Sequence, residues 1–435
     1  MNMSDLSDYI HNAPLIDTHE HLKFEEEWVQ EGPDVLQDIF GNYVIADLVV
    51  AGASLDDVDN LLDINSGDIG TRFSSIEKAW NCVKYTGYGE AVGILARDIY
   101  GLDQITIQGL LDADIENKKL RKPGNRLKLL KEHANIDHVQ IDNFVWRCEP
   151  DQSGPDFFLY DLSWVDFCNG VIPLEEIYKE TGISVKNIKT LEEAIELIFE
   201  KYGPYAIAVK SQHAYSRTLK WIERTDQEAE KALNIILCDP ENVPVEIALC
   251  LGDWAWAKGI ELSIQYNLPF KIHTGYYAGH SRMPVNRIKS GNMCELLARY
   301  IDAKFILMHI AYPYSSELIA IAKHYPNVWV DLCWAWSIDP YSSFDFVRRF
   351  IHAVPINKLF AFGGDTQWPT SAYAYSVQTR KWFTHVLQTE IKEDFLNEKQ
   401  ALSIAHRLME QNQKDCFDID GTRENIIKLL QPSRL

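Results

Sequence analysis

Short apolar runs that each give way to a polar residue recur along this chain, and they constrain its fold more than any other feature. Eight such runs are present, at residues 14–16, 139–145, 157–167, 205–209, 270–272, 305–308, 328–330 and 359–362. A strand buried on both faces of a parallel sheet is continuously apolar until its carboxyl end opens to solvent. The later runs alternate with helical patterns, such as 316–324 and 344–354, at the spacing of strand–helix–strand units. We therefore expect an α/β fold in which eight parallel strands close into a (β/α)8 barrel.

The chain is longer than a barrel requires. A (β/α)8 barrel takes about 250 residues, whereas this chain has 435. Two long connections, residues 22–135 and 211–268, hold most of the excess and contain helical patterns of their own. Connections of this kind are usually lids or subdomains. We expect one barrel over residues 1–435, with 22–135 as a helical insertion after the first strand that caps the site, and 211–268 as a second, lid-like connection.

Charge and composition exclude several classes of protein. The chain is 46% apolar and 24% charged, which is typical of a globular protein with a sizeable core. Its net charge of −21 would repel phosphate backbones and anionic lipid surfaces, so neither nucleic acid nor membrane is an expected partner. No stretch approaches the roughly 20 apolar residues of a membrane span. A small molecule is the expected partner, and homo-oligomerisation stays open because such barrels often associate.

The cysteines and the first residues bear on the compartment. The eight cysteines are scattered without a CxxC pair, so we expect neither a thiolate zinc site nor a disulfide framework. The start of the chain has no basic region followed by an apolar one, as a secretory signal would have. These features favour a reduced, cytoplasmic protein.

Metal-ligating side chains follow several of the apolar runs. His19 and His21 lie two residues apart, so on a strand both rings point to the same side and can reach one ion. Alone, this pair could equally be surface or core histidines. Four other runs end in the residues Lys210, His273, His309 and Asp365. A barrel brings the carboxyl ends of all its strands to one face, and converging nitrogen and oxygen ligands make a catalytic metal site.

The order of these residues resembles the amidohydrolase superfamily, which has His-x-His after the first strand, Lys after the fourth, His after the fifth and sixth, and Asp after the eighth. The resemblance rests on AVKSQHAYSR (208–217), KIHTGYYAGHSR (271–282), residues 305–332 and FGGDTQW (362–368). It is strongest to the amidohydrolase 2 branch, which includes the amidohydrolase-like domain fused to glutamine synthetase in fungal and plant proteins. The helical region after the first strand is more distantly similar to uronate isomerases.

The resemblance implies roles for these residues. His19 and His21 would bind a divalent metal, Zn²⁺ first, with Mn²⁺ or Fe²⁺ as alternatives because imidazole suits all three. Asp365 would be both a metal ligand and the general base, although an Asp at this position could instead cap the next helix. His273 and His309 would complete a second metal position, or His273 would bind the first ion while His309 contacts the substrate. Both could also be core histidines.

Lys210 separates the one-ion and two-ion arrangements. A lysine buried beside metal ions can be carboxylated on its amine, and the carbamate then bridges two ions as a carboxylate would. Unmodified, Lys210 would bind a substrate carboxylate or pair with Asp365 in a one-metal site.

Polar residues on the loops after the strands are candidate substrate contacts, with the alternative that they serve packing or solubility. They are His213, Arg217, Tyr276, Tyr277, His280, Arg282 and Trp368. Arginine binds carboxylate or phosphate through two hydrogen bonds, which indicates an anionic substrate. Arg380, further along the chain, is expected to face outward.

The most direct interpretation is a metal-dependent hydrolase that activates water against an amide, ester or lactone carbonyl, with Asp365 moving the proton. A sugar-acid isomerase or a decarboxylase would use the same scaffold and shares the resemblance. A third reading is a non-catalytic, metal-stabilised binding module.

Overall fold

Eight parallel strands form the centre of the protein, whose computed structural model describes residues 4–431. In chain order β1 to β8 are Leu15–Glu20, Ile136–Ile141, Phe158–Ser163, Ala206–Ser211, Phe270–Ile272, Phe305–Leu307, Val328–Asp331 and Leu359–Phe360. Each strand pairs in parallel with the next one along the chain. Backbone hydrogen bonds join β1 to the segment after β8, from Thr18 N to the Phe362 oxygen and from His21 N to the Thr366 oxygen. The predicted (β/α)8 barrel is confirmed.

All eight predicted runs contain a strand, and the bounds differ most at two of them. The strand predicted at 139–145 begins earlier, at Ile136, and ends at Ile141. The first three residues of this strand were missed because Asp137 and His138 are polar, although His138 is buried. The run 157–167 is strand only as far as Ser163, since Val165–Cys168 form a helical turn. Inside a barrel, polar residues can be buried in pairs, so hydrophobicity alone does not give strand ends.

The connection between β1 and β2 is helical along most of its length. Its helices are Glu25–Gln30, Val35–Phe40, Val44–Val50, Leu55–Leu62, Ile69–Val83, Gly87–Tyr100, Ile107–Leu120 and Asn125–Lys128, the last continued by a π-helical turn Leu129–His133. Local sequence explains several of their starts. The side chains of Asp34 and Ser54 each accept a hydrogen bond from the backbone N–H three residues on, and their own N–H groups donate to the side chain of that residue, which forms a capping box.

The remaining helices surround the barrel and extend beyond it at both ends. They are Ser4–Asn12, Val165–Cys168, Leu174–Thr181, Ile188–Tyr202, Asp226–Cys238, Val245–Gln265, Cys294–Arg299, Ser315–His324, Ala335–Ile338, Pro340–Ala353, Pro369–Lys392, Glu398–His406, Asn412–Cys416 and Ile419–Leu430. Over residues 4–431, none of these or the preceding helices has both the length and the apolar composition to cross a bilayer.

The segment after residue 397 packs against the barrel and was not anticipated as part of the excess length. Ala361 N donates to the Leu408 oxygen, and the Asn412 amide donates to the carbonyl oxygens of Ile356 and Leu359. Phe417 packs against Phe360 at 5.6 Å between ring centroids. The extra residues therefore lie at the carboxyl terminus as well as in the two long connections.

Arg380 does not face outward as expected. Its side chain is buried, and its guanidinium donates to the carbonyl oxygens of Ile10, Ala13, Ala134 and Asn135. Burial lowers its pKa to about 10, which leaves the group charged near neutral pH. The arginine ties the end of the first helix and the start of β2 to the long helix 369–392.

Replacing Arg380 with Met should destabilise the protein by about 2 to 3 kcal/mol, because buried carbonyl oxygens lose their donor. The midpoint of urea denaturation, followed by circular dichroism, measures the effect. Lys381→Met is the matched control, since Lys381 is exposed and holds only Glu90. Equal midpoints for the two variants would contradict the structural role assigned to Arg380.

Candidate metal centre

β1 presents two imidazole rings to one carboxylate oxygen. The Nε2 atoms of His19 and His21 lie 3.3 Å and 3.2 Å from Oδ1 of Asp365. Ligands held tetrahedrally at about 2.0 to 2.1 Å from a zinc ion are themselves about 3.3 Å apart. Each nitrogen therefore lies at ligand spacing from the Asp365 oxygen, and ligand atoms of the three residues lie within 4.8 Å of one another, so the donor set fits one divalent ion.

The second nitrogen of each ring has a different neighbour. His21 Nδ1 donates to the Asp142 carbonyl oxygen at 2.6 Å, which holds the ligating nitrogen of His21 toward the ion and sets its tautomer. His19 Nδ1 faces Asp161, but its distance of 3.9 Å to Oδ2 is too long for a hydrogen bond.

The two rings differ in their affinity for protons. Burial lowers the pKa of His19, so this ring is neutral near pH 7 and its Nε2 lone pair is free to ligate. Burial acts in the same direction on His21, but the hydrogen bond and charge of Asp365 outweigh it and raise the pKa of His21. At His21, an ion therefore competes with a proton.

Asp365 is held in a conformation that directs its side chain at the histidines. Its backbone is left-handed, with φ of 59°, which is uncommon outside glycine. Its N–H donates to the His19 oxygen at 2.9 Å, and its oxygen accepts the Tyr43 hydroxyl at 2.5 Å. Although burial raises its pKa, hydrogen bonds from His19 and His21 hold the pKa of Asp365 well below its usual value. The carboxylate is charged, and the alternative role as a helix cap is wrong, because Trp368 occupies that position.

The glycines before Asp365 allow its close approach to β1. A Cβ atom on Gly364 would lie 1.9 Å from Oε1 of Glu20, and one on Gly363 would lie 2.9 Å from Oγ1 of Thr18. Any side chain would therefore push the segment away from β1. The Gly-Gly-Asp sequence is thus a spacing requirement of the site.

His309 faces the other oxygen of Asp365. Its Nε2 lies 3.8 Å from Asp365 Oδ2, and its Nδ1 donates to the Cys333 carbonyl at 2.9 Å. Burial lowers the pKa of His309 to about 3, so the ring is neutral near pH 7. Within residues 4–431, its buried Nε2 has no hydrogen-bond partner. That nitrogen is free to accept a hydrogen bond or an ion.

His309, Cys333 and Asp365 form a second group with potential ligand atoms within 4.8 Å of one another. Burial raises the pKa of the Cys333 thiol well above its usual value. Only the thiolate is a good ligand, so Cys333 contributes poorly to a metal site.

His273 and Lys210 lie in the same cluster. The ring of His273 is 4.4 Å from that of His309, and its Nε2 donates to the Tyr276 oxygen at 2.9 Å. Lys210 is buried, with its Nζ 3.5 Å from His19 Nε2 and 3.5 Å from Gln212 Oε1. All six predicted metal-site residues therefore converge at one end of the barrel.

Two connected cavities adjoin this cluster. One of about 340 Å³ is lined by residues that include His21, Tyr43 and Asp365. The second, of about 600 Å³, shares His280 with it and also contains Tyr276, Tyr277 and Arg282. Four of the predicted substrate contacts thus line a cleft that leads to Asp365.

The other predicted substrate contacts have structural surroundings. His213 is buried against Trp256, and its Nδ1 is 2.7 Å from the Ser211 hydroxyl. Trp368 is half-buried at the start of helix 369–392. Arg217 requires a correction, because it is buried in an ion pair with Asp253 and donates to the Cys168 oxygen at 2.9 Å. Its guanidinium is directed at these groups and not at a substrate.

Sequence reasoning missed Tyr43 and the buried pair of Asp161 with Lys271. Tyr43 comes from the connection between β1 and β2, where no pattern distinguishes it. Lys271 carried a signal that was not used: it stands inside an otherwise apolar strand, and a buried lysine needs a partner. Its Nζ lies 2.8 Å and 2.9 Å from the two oxygens of Asp161.

Comparison with known proteins agrees with this geometry. The sequence model of the amidohydrolase family matches residues 243–398, a segment that contains His273, His309 and Asp365. That segment is therefore similar to the amidohydrolase family. Among curated relatives of this chain, Protein fluG of Emericella nidulans is 24% identical over 179 residues, which are 39% of this chain and 20% of the relative. The match thus spans about a fifth of that relative's length.

Solved structures resemble this chain over nearly its whole length. A glucuronate isomerase from Caulobacter crescentus gives a TM-score of 0.78 at 16% identity, covering 99% of this chain and 95% of its own. A uronate isomerase from Thermotoga maritima gives 0.78 at 13% identity, with coverage of 95% and 97%. A candidate metal-dependent hydrolase from Lactobacillus casei gives 0.68 at 14% identity, with coverage of 98% and 99%. At these identities the similarity establishes the fold alone.

Proposed function

We propose that this protein is a metal-dependent hydrolase that cleaves an amide, ester or lactone bond of a small anionic substrate. The observation that carries the proposal is the arrangement around Asp365: one carboxylate oxygen is shared by His19 and His21, and the other faces the neutral ring of His309. Hydrolysis by a metal-activated water requires a group that binds the ion and also accepts a proton from the water.

His19, His21 and Asp365 would hold the ion, with Zn²⁺ as the first candidate and Mn²⁺ or Fe²⁺ as alternatives. When bound, a divalent cation supplies a Lewis acid for the substrate carbonyl and lowers the pKa of a coordinated water. The burial of His19 favours this binding, because its ring is already deprotonated.

Asp365 would take the proton from the attacking water and deliver it to the leaving group. Its carboxylate is charged and therefore able to accept a proton. His309 donates its Nδ1 proton to the Cys333 carbonyl, so its Nε2 is an acceptor toward Asp365 Oδ2. Once protonated, Asp365 could donate to this nitrogen, which would orient the proton. Tyr43 holds the backbone of Asp365 in place from the helical connection.

Lys210 is proposed to act at the ion and not as an ordinary ammonium. An ammonium 3.5 Å from the ligating nitrogen of His19 would repel a cation bound there. A carbamate at this position would attract one, and it would also bring a second ion within reach of His273 and His309. Incorporation of isotope-labelled bicarbonate, read by carbon NMR, tests the carbamate.

A sugar-acid isomerase is the alternative function at the same site. It is favoured by the full-length similarity to two structures named as uronate or glucuronate isomerases, which includes the helical connection after β1. Isomerisation also needs an ion and a proton-transferring carboxylate, so the same residues would serve. The substrate decides between the two reactions.

Metal content and turnover test the proposal together. We expect the purified protein to hold at least one equivalent of divalent metal, and the double variant His19→Asn/His21→Asn to lose it, because two of three ligands are removed. Elemental analysis measures the metal. Lactones, N-acyl amino acids and uronic acids are then screened with the zinc- or manganese-loaded protein.

Hydrolysis of a lactone or amide would support the hydrolase, whereas isomerisation of a uronic acid without hydrolysis would replace it. Absence of metal at any added concentration would overturn both functions and leave a binding module. His324→Asn, at the end of helix 315–324, is the control and should leave the metal content unchanged.

A further inference from the structure

A further cavity of about 510 Å³ adjoins the metal centre through His21. Its lining residues include Lys23, Asp142, Asn143, Phe144 and Arg147. It shares His21 and Gln367 with the cavity that contains Asp365. A substrate held at the metal centre could therefore extend a group into it.

The wall of this cavity contains a buried carboxylate with one free oxygen. Asp142 is fully buried, and its Oδ1 accepts the Phe144 N–H at 2.9 Å. Across residues 4–431, its Oδ2 has no hydrogen-bond partner, and neither has Oδ1 of Asn143. Leaving a buried polar atom unpaired costs about 1 to 3 kcal/mol, and more for a charged group. Both free atoms are hydrogen-bond acceptors.

The positive side chains of the wall are paired with other carboxylates. Lys23 Nζ is 3.0 Å from Glu27, which lines the same cavity, and Arg147 Nη1 is 3.5 Å from Glu180. Among the ion pairs of the described part of the chain, none includes Asp142. Asp142 is therefore available to a cationic donor that enters the cavity.

Phe144 adds an aromatic surface next to these acceptors. Its backbone is left-handed, with φ of 64°, which is rare for a bulky residue and costs about 1 to 3 kcal/mol. One ring face stacks on His21 at 4.4 Å, yet 52% of the residue is exposed. Aromatic faces attract cations within about 6 Å.

We propose that this cavity binds a protonated amino group of the substrate. Asp142 Oδ2 and Asn143 Oδ1 accept two of the three N–H donors of the ammonium, and the Phe144 ring packs against it. This inference rests on the proposed function. It makes the substrate an amide, ester or lactone that also carries an amino group. That amino group would lie on the His21 side of the bond that is cleaved.

Binding of two matched probes tests the proposal without requiring turnover. L-Alaninamide carries the ammonium, and propionamide is the same amide without it. Calorimetric titration of the metal-loaded protein should show alaninamide binding about tenfold or more tightly, as expected for a charge-assisted hydrogen bond in a buried site.

The variant Asp142→Asn should reduce this preference to near unity. Asparagine keeps the acceptor for Phe144 N–H and the backbone carbonyl for His21. Elemental analysis of the same samples gives the metal content, and the two affinities are compared at equal metal content. Glu149→Gln is the matched control, because Glu149 is an exposed carboxylate on the rim of the same cavity. It should retain the full preference.

Equal affinity of the wild type for the two probes, no binding of alaninamide, or a preference that survives Asp142→Asn would each overturn the proposal. A separate measurement, turnover of amides, esters and lactones, tests the proposed hydrolase function. If alaninamide binds as expected but no amide, ester or lactone is cleaved, the amino-group site stands and the hydrolase does not.

Discussion

Replacement of Asp365 with Asn is expected to lower kcat/KM by about 10²- to 10⁴-fold for the substrate that the protein turns over, which is the range for loss of a general acid–base. Asparagine fills the same space but cannot accept a proton from water. It also removes the negative charge between His19 and His21. Steady-state kinetics with saturating zinc or manganese measures the loss, and elemental analysis of the same samples gives the metal content.

The two measurements separate the two roles of Asp365. Lost activity with retained metal would show the proton-transfer role, and lost metal that excess ion restores would show the ligand role. Cys333→Ser is the control, because the Cys333 thiol lies in the second group of ligand atoms but is protonated. It should keep both metal and most activity. Unchanged turnover in Asp365→Asn would contradict the mechanism.

The order of the strands and the polar residues that follow them could be predicted from the sequence, because a parallel barrel imposes both. Burial on two faces makes each strand apolar, and the barrel then collects the residues at the carboxyl ends. His19, Lys210 and Asp365 were placed together by this reasoning although each is more than 150 positions from the next. Their distances, such as 3.3 Å from His19 to Asp365, depend on side-chain packing and were not predictable.

The arginines show where such reasoning fails. Arg217 and Arg380 are polar residues outside strands, which usually means exposure, yet both are buried. Arg217 forms an ion pair with Asp253 on the helix 245–265, and Arg380 donates hydrogen bonds to four backbone carbonyl oxygens. Neither set of partners is near in sequence, so only the tertiary structure could reveal them.

The helical connection after β1 could be predicted as a helical cap over the site, but not which of its residues would contact Asp365. Its caps and periodicity are local, whereas the contact of Tyr43 with Asp365 joins residues 322 positions apart. The requirement for glycine before Asp365 could not be predicted either, because it arises from the contact of Glu20 with Gly364 in the folded structure.

Replacement of Lys271 with Met is expected to lower the free energy of unfolding by about 3 to 5 kcal/mol, the range for removing one partner of a buried ion pair. Both side chains of the Lys271–Asp161 pair are fully buried. Lys271 Nζ also donates to the Thr18 oxygen at 2.7 Å, so β1 loses a contact as well. Urea denaturation in the presence of a chelator measures the change without a contribution from metal binding.

The double variant Asp161→Asn/Lys271→Met tests the cause. If the cost arises from a buried unpaired carboxylate, removing that charge should recover part of the stability, so the double variant should be more stable than Lys271→Met alone. Lys304→Met, at a part-buried lysine that donates to Asn267 and Cys416, is the control and should cost less. Because Asp161 also faces His19 Nδ1, Lys271→Met and the double variant Asp161→Asn/Lys271→Met should both bind metal more weakly than the wild type. Equal stability of the single and double variants would mean that the loss is one of packing and not of charge.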